Sequence, residues 1–93
     1  MASDSQLVYR QSALSVLTRV LSDGVFLDEA LSQVDASHRG WVHEVVAGSL
    51  RWKGRLDWII DQLAFKKKPT GAIRKVLLLA TYQLLNQPQI QPA

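Results

Sequence analysis

Apolar residues recur at three- and four-residue steps along most of the chain, and no stretch alternates apolar and polar as a half-buried strand does. Leu7, Leu14, Leu17 and Leu21, with Ala13, Val16 and Val20, mark one face of a helix over 6–22. Ser3 or Ser5 is its candidate N-cap. Asp23-Gly24 ends it, because glycine takes the left-handed position after a helix without steric cost. Phe26 to Gln33 predicts a short second helix with Leu27, Ala30 and Leu31 inward. Asp28 and Glu29 lie near its N-terminus, where the helix dipole favours anions.

After a connector at Val34-Asp35-Ala36-Ser37, a third helix is predicted over about 38–53, capped by Asp35 or Ser37. One stripe carries Trp41, Val45, Gly48 and Trp52, and the next carries Val42, Val46 and Leu50, so Trp52 reads as core. Gly48 lies on the apolar stripe, where glycine costs about 1 kcal/mol relative to alanine. That loss is explained if another helix approaches closely there. Gly54 is read as a break or kink, followed by a fourth helix over about 55–65 with Leu56, Ile59, Ile60 and Leu63 on one face. Trp58, roughly opposite Leu56 and Ile60, reads as partly buried against another helix.

Phe65-Lys66-Lys67-Lys68-Pro69-Thr70-Gly71 reads as a loop, with Thr70 as candidate cap of a last helix over 71–86. Ile73, Val76, Leu77, Leu78, Leu79, Ala80, Tyr82, Leu84 and Leu85 make that helix apolar almost all round. Such a helix is expected to be the buried axis of a bundle. The last seven residues, 87–93, lack helical periodicity and read as a linker or tail. The pattern therefore predicts an all-α domain over 1–86 with about five helices, its short connections favouring antiparallel neighbours.

Ninety-three residues bound this to one small domain, and a hydrophobic content of 47% suits a packed core rather than a disordered chain. The absence of cysteine excludes disulfides and cysteine–zinc sites. No apolar run reaches the ~18 residues of a membrane span, and the N-terminus lacks the basic-then-apolar order of a signal peptide. The expectation is a cytoplasmic protein with no membrane partner. Charge sharpens the picture more than composition does. Residues 51–75 hold eight cations against Asp57 and Asp61, whereas the rest of the chain is net acidic. A basic middle points to an anionic partner, and the competing reading is a solvated lysine face.

Catalytic chemistry finds little support. His38 and His43 are five residues apart and do not share a helix face as metal ligands would, so they read as surface or packing residues. Asp57 and Asp61 do share a face, but Asp57 is four residues from Lys53, and helix-face ion pairing explains it. Gly48 to Gly54 lacks phosphate-loop spacing and lies in a helical pattern. No nucleophile–base set is visible. Binding is better supported, since Arg51, Trp52, Lys53, Arg55 and Trp58 interleave cations with aromatic rings that can stack on bases.

The chain also resembles a known family. The pieces that match are Gly24…Leu27-Asp28-Glu29-Ala30-Leu31, Val46-Ala47-Gly48-Ser49-Leu50-Arg51-Trp52, Leu56-Asp57-Trp58-Ile59-Ile60 and Tyr82-Gln83-Leu84-Leu85. In this order and spacing they are similar to the NusB-like RNA-binding domain. They are most like the N-terminal domain of RsmB/Sun/Fmu-type ribosomal-RNA cytosine-5 methyltransferases. Leu78 stands where that family often has arginine, and Ala80 where it often has glycine.

The resemblance implies a NusB-like helical bundle, incomplete at its C-terminal end because the family's domain continues for two more helices. It implies an RNA-binding domain that helps to position rRNA, with no catalytic residue or cofactor of its own. S-adenosylmethionine belongs to the catalytic domain expected in the parent chain. The residues expected to meet RNA are Arg51, Lys53, Arg55, Lys66, Lys67, Lys68, Arg74 and Lys75. Exposure of the leucine-rich face of 73–85 implies self-association or a helix swap. The alternatives are a stand-alone transcription antitermination factor of the NusB type and a helical protein-interaction module.

Overall fold

A computed structural model describes residues 2–63 and 66–86, with side chains from Leu7 onward. Phe65 and the tail over 87–93 lie outside the described residues. Within them the chain forms five helices and no strand: α1 Ala2–Asp23, α2 Leu27–Leu31, α3 Ala36–Arg51, α4 Lys53–Leu63 and α5 Gly71–Asn86. No helix among the described residues is long and apolar enough to cross a membrane.

The termini of these helices follow from local chemistry. α1 begins at Ala2, so Ser3 and Ser5 lie inside it rather than capping it. It ends at Gly24, whose φ of 70° is left-handed, and the Val25 N–H returns to the Arg19 carbonyl at 3.1 Å. α2 is shorter than its apolar pattern suggests. The Ser32 hydroxyl donates to the Glu29 carbonyl at 2.6 Å, a local bond that competes with helix continuation. Asp35 caps α3, accepting from the Ser37 N–H at 2.9 Å. Arg39 then clamps the connector by donating to the Val34 carbonyl from Nη2 at 2.7 Å. Thr70 contributes to α5 through its carbonyl, which accepts from Arg74 N–H at 3.4 Å.

The core lies where α1, α3 and α5 pack together, with α2 bridging α1 and α3 and α4 closing on α5. α1 supplies Ala13, Val16 and Leu17; α3 supplies Val42, Val45 and Val46; α4 supplies Leu56 and Ile60; α5 supplies Leu78, Leu79 and Tyr82. Leu7 and Leu21, expected inward, are exposed. At 22 residues, α1 outreaches the 16-residue α3, so its ends overhang the core. The close approach expected at Gly48 is present. A Cβ there would overlap the phenol ring of Tyr82, whose hydroxyl donates to Glu44 at 3.1 Å. Two of the motif pieces, around Gly48 and around Tyr82, are thus one helix–helix contact.

Several expectations are corrected. α5 is not a buried axis. Leu78, Leu79 and Tyr82 face the core, while Ile73, Val76, Leu84 and Leu85 are exposed because no other described helix covers that side. The break between α3 and α4 falls at Trp52, not Gly54. Trp52 adopts φ −102° and ψ 16°, and α4 resumes at Lys53. The 3.6-residue phase of α3 therefore stops at Trp52. That residue turns outward at 45% exposure instead of continuing the Trp41/Val45/Gly48 stripe into the core. Trp58 and Leu63 are also exposed.

Candidate nucleic-acid interface

α4 presents three faces, and helical spacing assigns each its residues. Leu56 and Ile60, one turn apart, enter the core. Lys53, Asp57 and Asp61, at four-residue steps, line the side that meets α5. Arg55, Trp58 and Gln62 lie on the remaining side, exposed.

The face toward α5 is an ion-pair cluster centred on Arg74. Its Nη1 donates to Asp57 Oδ1 at 3.2 Å and its Nη2 to Asp61 Oδ1 at 2.7 Å. Its Nε donates to the Pro69 carbonyl at 2.9 Å. The guanidinium is thereby held on three sides, and its side chain is only 18% exposed. Lys53 Nζ closes on Asp57 Oδ2 at 2.8 Å, and Lys68 Nζ stands 3.8 Å from Asp61 Oδ2. The hydrogen bond from Arg74 holds the Asp61 carboxyl below its ordinary pKa, opposed in part by desolvation. The same bond raises the pKa of Arg74. The Lys53–Asp57 pairing was legible in the spacing. The Arg74 contacts span 17 and 13 positions and were not.

The outward face carries a different chemistry. Trp52 at the corner, Arg55 and Trp58 follow one another at three-residue steps, and all three are exposed. The Arg55 guanidinium sits 5.9 Å from the centroid of the Trp52 ring, within the range of a cation–π contact. Arg51 is exposed in the last turn of α3, and Lys66 and Lys67 are exposed just beyond α4. Lys75 is half-buried in the first turns of α5. Among the described residues, no carboxylate lies within ion-pairing distance of Arg51, Arg55, Lys66, Lys67 or Lys75.

The eight cations singled out in the sequence therefore divide. Lys53, Lys68 and Arg74 share two carboxylates in the α4–α5 seam. Arg51 and Arg55 stand beside the exposed tryptophans. Sequence periodicity hid Trp52 because it extrapolated α3 through a corner. The flanking cations were the one signal that this tryptophan faces solvent.

The histidines have structural surroundings. His38 is buried, its Nε2 3.1 Å from the Ser12 hydroxyl and its Nδ1 3.2 Å from the Ser37 hydroxyl. Tyr9 stacks on it at a centroid distance of 4.8 Å. His43 is exposed on α3. Among the described residues, no three His, Cys, Asp or Glu are placed to hold a metal ion.

No curated protein and no solved structure matches this chain. The model of the NusB family does match, over residues 8–93. That span takes in the Gly48–Tyr82 contact, the Trp52 corner and the Arg74 cluster, and the chain belongs to the NusB family.

Proposed function

We propose that this chain is an RNA-binding helical domain that meets phosphates with its basic middle. The observation that carries the reading is the set Arg51, Arg55, Lys66 and Lys67. All four are exposed, and none has a carboxylate partner among the described residues. Lys53, Lys68, Arg74 and Lys75 add to the local positive field while holding α4 and α5 together or lying partly buried. Family membership supports the same reading.

About four phosphate contacts imply that the logarithm of affinity falls by about 3 per tenfold rise in salt on single strands, and somewhat more steeply on duplex. Fluorescence anisotropy with structured RNA checks this. Charge reversal by Arg51→Glu with Arg55→Glu is expected to weaken binding and flatten the salt dependence. Affinity that ignores both salt and charge reversal contradicts RNA binding and favours a protein-interaction module.

Within that reading, the chain is the N-terminal domain of an rRNA cytosine-5 methyltransferase and helps to position rRNA in the cytoplasm. The order and spacing of the Gly48–Trp52, Leu56–Ile60 and Tyr82–Leu85 pieces support this. S-adenosylmethionine would then bind the parent's catalytic domain, not this segment. An open reading frame that continues past Ala93 into such a domain is the expected observation. One without it leaves the antitermination-type role. Self-association through the outward face of α5 completes the proposal, since Ile73, Val76 and Leu84 lie exposed along it.

A further inference from the structure

We infer that Trp52, Arg55 and Trp58 form a stacking platform for unpaired nucleobases of a single-stranded RNA segment. The inference rests on the RNA-binding reading and adds to it a site and the form of ligand that the site takes. Three observations point the same way.

The first is exposure. Of the three tryptophans, Trp41 packs against the core and tilts toward Tyr9 at 5.5 Å. Trp52 and Trp58 remain 45% and 63% exposed. Two large aromatic surfaces left in water on one side of a short helix mark an interaction surface rather than a packing residue. The second is spacing. Residues 52, 55 and 58 follow one another at three-residue steps from the α3–α4 corner, with the arginine between the two tryptophans in sequence and its guanidinium 5.9 Å from the Trp52 centroid. A planar cation beside an indole is the arrangement that holds a base by stacking and its phosphate by charge.

The third is charge. Asp57 and Asp61 are the only acids of α4, and they lie in the seam with Lys53, Arg74 and Lys68. The platform side is left with Arg51 and Arg55 and, among the described residues, no carboxylate partner. That suits a chain carrying both negative charge and aromatic faces. Duplex bases are stacked on one another and cannot lie on tryptophan, so the rings select unpaired nucleotides.

The test uses the full chain with two fluorescent probes, a mixed-sequence single-stranded oligoribonucleotide and the same strand in a duplex. Trp52→Ala and Trp58→Ala are each expected to lower single-strand affinity about 5- to 150-fold, as the loss of one stacked base does, and the double variant is expected to lower it further than either. Duplex affinity and the salt dependence are expected to stay near those of the parent chain. Trp52→Phe and Trp58→Phe should recover most of the loss. Circular dichroism establishes that the variants are folded. Quenching of indole fluorescence by the single strand, absent with the duplex, reads the contact directly in the unaltered protein.

Tryptophan variants that bind both probes like the parent chain, with binding still steep in salt, overturn the platform and leave the RNA reading standing. A parent chain that binds neither probe at low salt overturns both. Tryptophan-dependent binding of polyglutamate that RNA fails to displace assigns the surface to an acidic protein and overturns the platform.

Discussion

Gly48 of α3 faces Tyr82 of α5, whose ring occupies the space that a side chain would need. The contact explains why a helix tolerates glycine at that position. Gly48→Ala gains up to about 1 kcal/mol of helix propensity. It also overpacks the crossing, which typically costs about 1–3 kcal/mol. A net loss is expected, seen as a fall of several degrees in Tm for a domain of this size. The loss should shrink in a Tyr82→Leu background, where the opposing ring is gone, and that non-additivity separates a clash from a general effect. A Tm unchanged by Gly48→Ala contradicts the close approach. Trp52 shows the opposite case at the same scale. One residue with corner dihedrals moves a large ring from its expected place in the core to solvent.

At the scale of elements, α4 packs on α5, and one arginine between two carboxylates ties them together. The consequence depends on pH. Asp61 titrates below its ordinary value because Arg74 donates to its ionised form. A depressed folded-state pKa contributes stability that is fully present above the unfolded pKa and is lost as pH falls through the folded value. Denaturant unfolding from neutral pH down to about pH 3 should therefore show an acid limb to which Asp61 contributes. Asp61→Asn should lower stability at neutral pH and flatten that limb. A variant whose acid limb matches the parent's contradicts the role given to the Arg74 pair. The α5 pattern carries a second lesson. Its buried residues Leu78, Leu79 and Tyr82 lie opposite a strip formed by Ile73, Val76, Ala80 and Leu84. An all-round apolar helix has two faces to cover, and the described part of the fold covers one.

For the whole molecule, that strip and the α4 platform are two surfaces among the described residues for which partners are proposed. The strip is uncharged from Val76 to Leu84 and narrow at Ala80, so a second copy can lay the same strip against it in an isologous pair. Concentration-dependent association is expected in light scattering. Val76→Lys with Leu84→Lys should abolish it with little change in the Tm of the dilute protein, because both positions are exposed. A parent chain that stays monomeric at high concentration contradicts the pairing. The platform, by contrast, is cationic and aromatic, and the proposed ligand there is RNA. The two surfaces are distinguishable by experiment, since lysines on α5 leave Trp52 and Trp58 untouched.

By itself, the sequence determined the order of the five described helices, both ends of α5, the glycine stop of α1, the Asp35 cap of α3, the inward residues of α2 and α3, and the close approach at Gly48. Those features are set within a few residues, by the helical period, by capping side chains and by glycine, and so they are written locally. It also determined that the cations concentrate in one stretch and that Asp57 meets Lys53. Only the tertiary structure decided that Arg74 pairs with Asp57 and Asp61, that α5 is covered on one side, and that Trp52 and Trp58 face water. Each of these depends on how helices cross after a corner. A crossing joins residues far apart in the chain, and no local period encodes it.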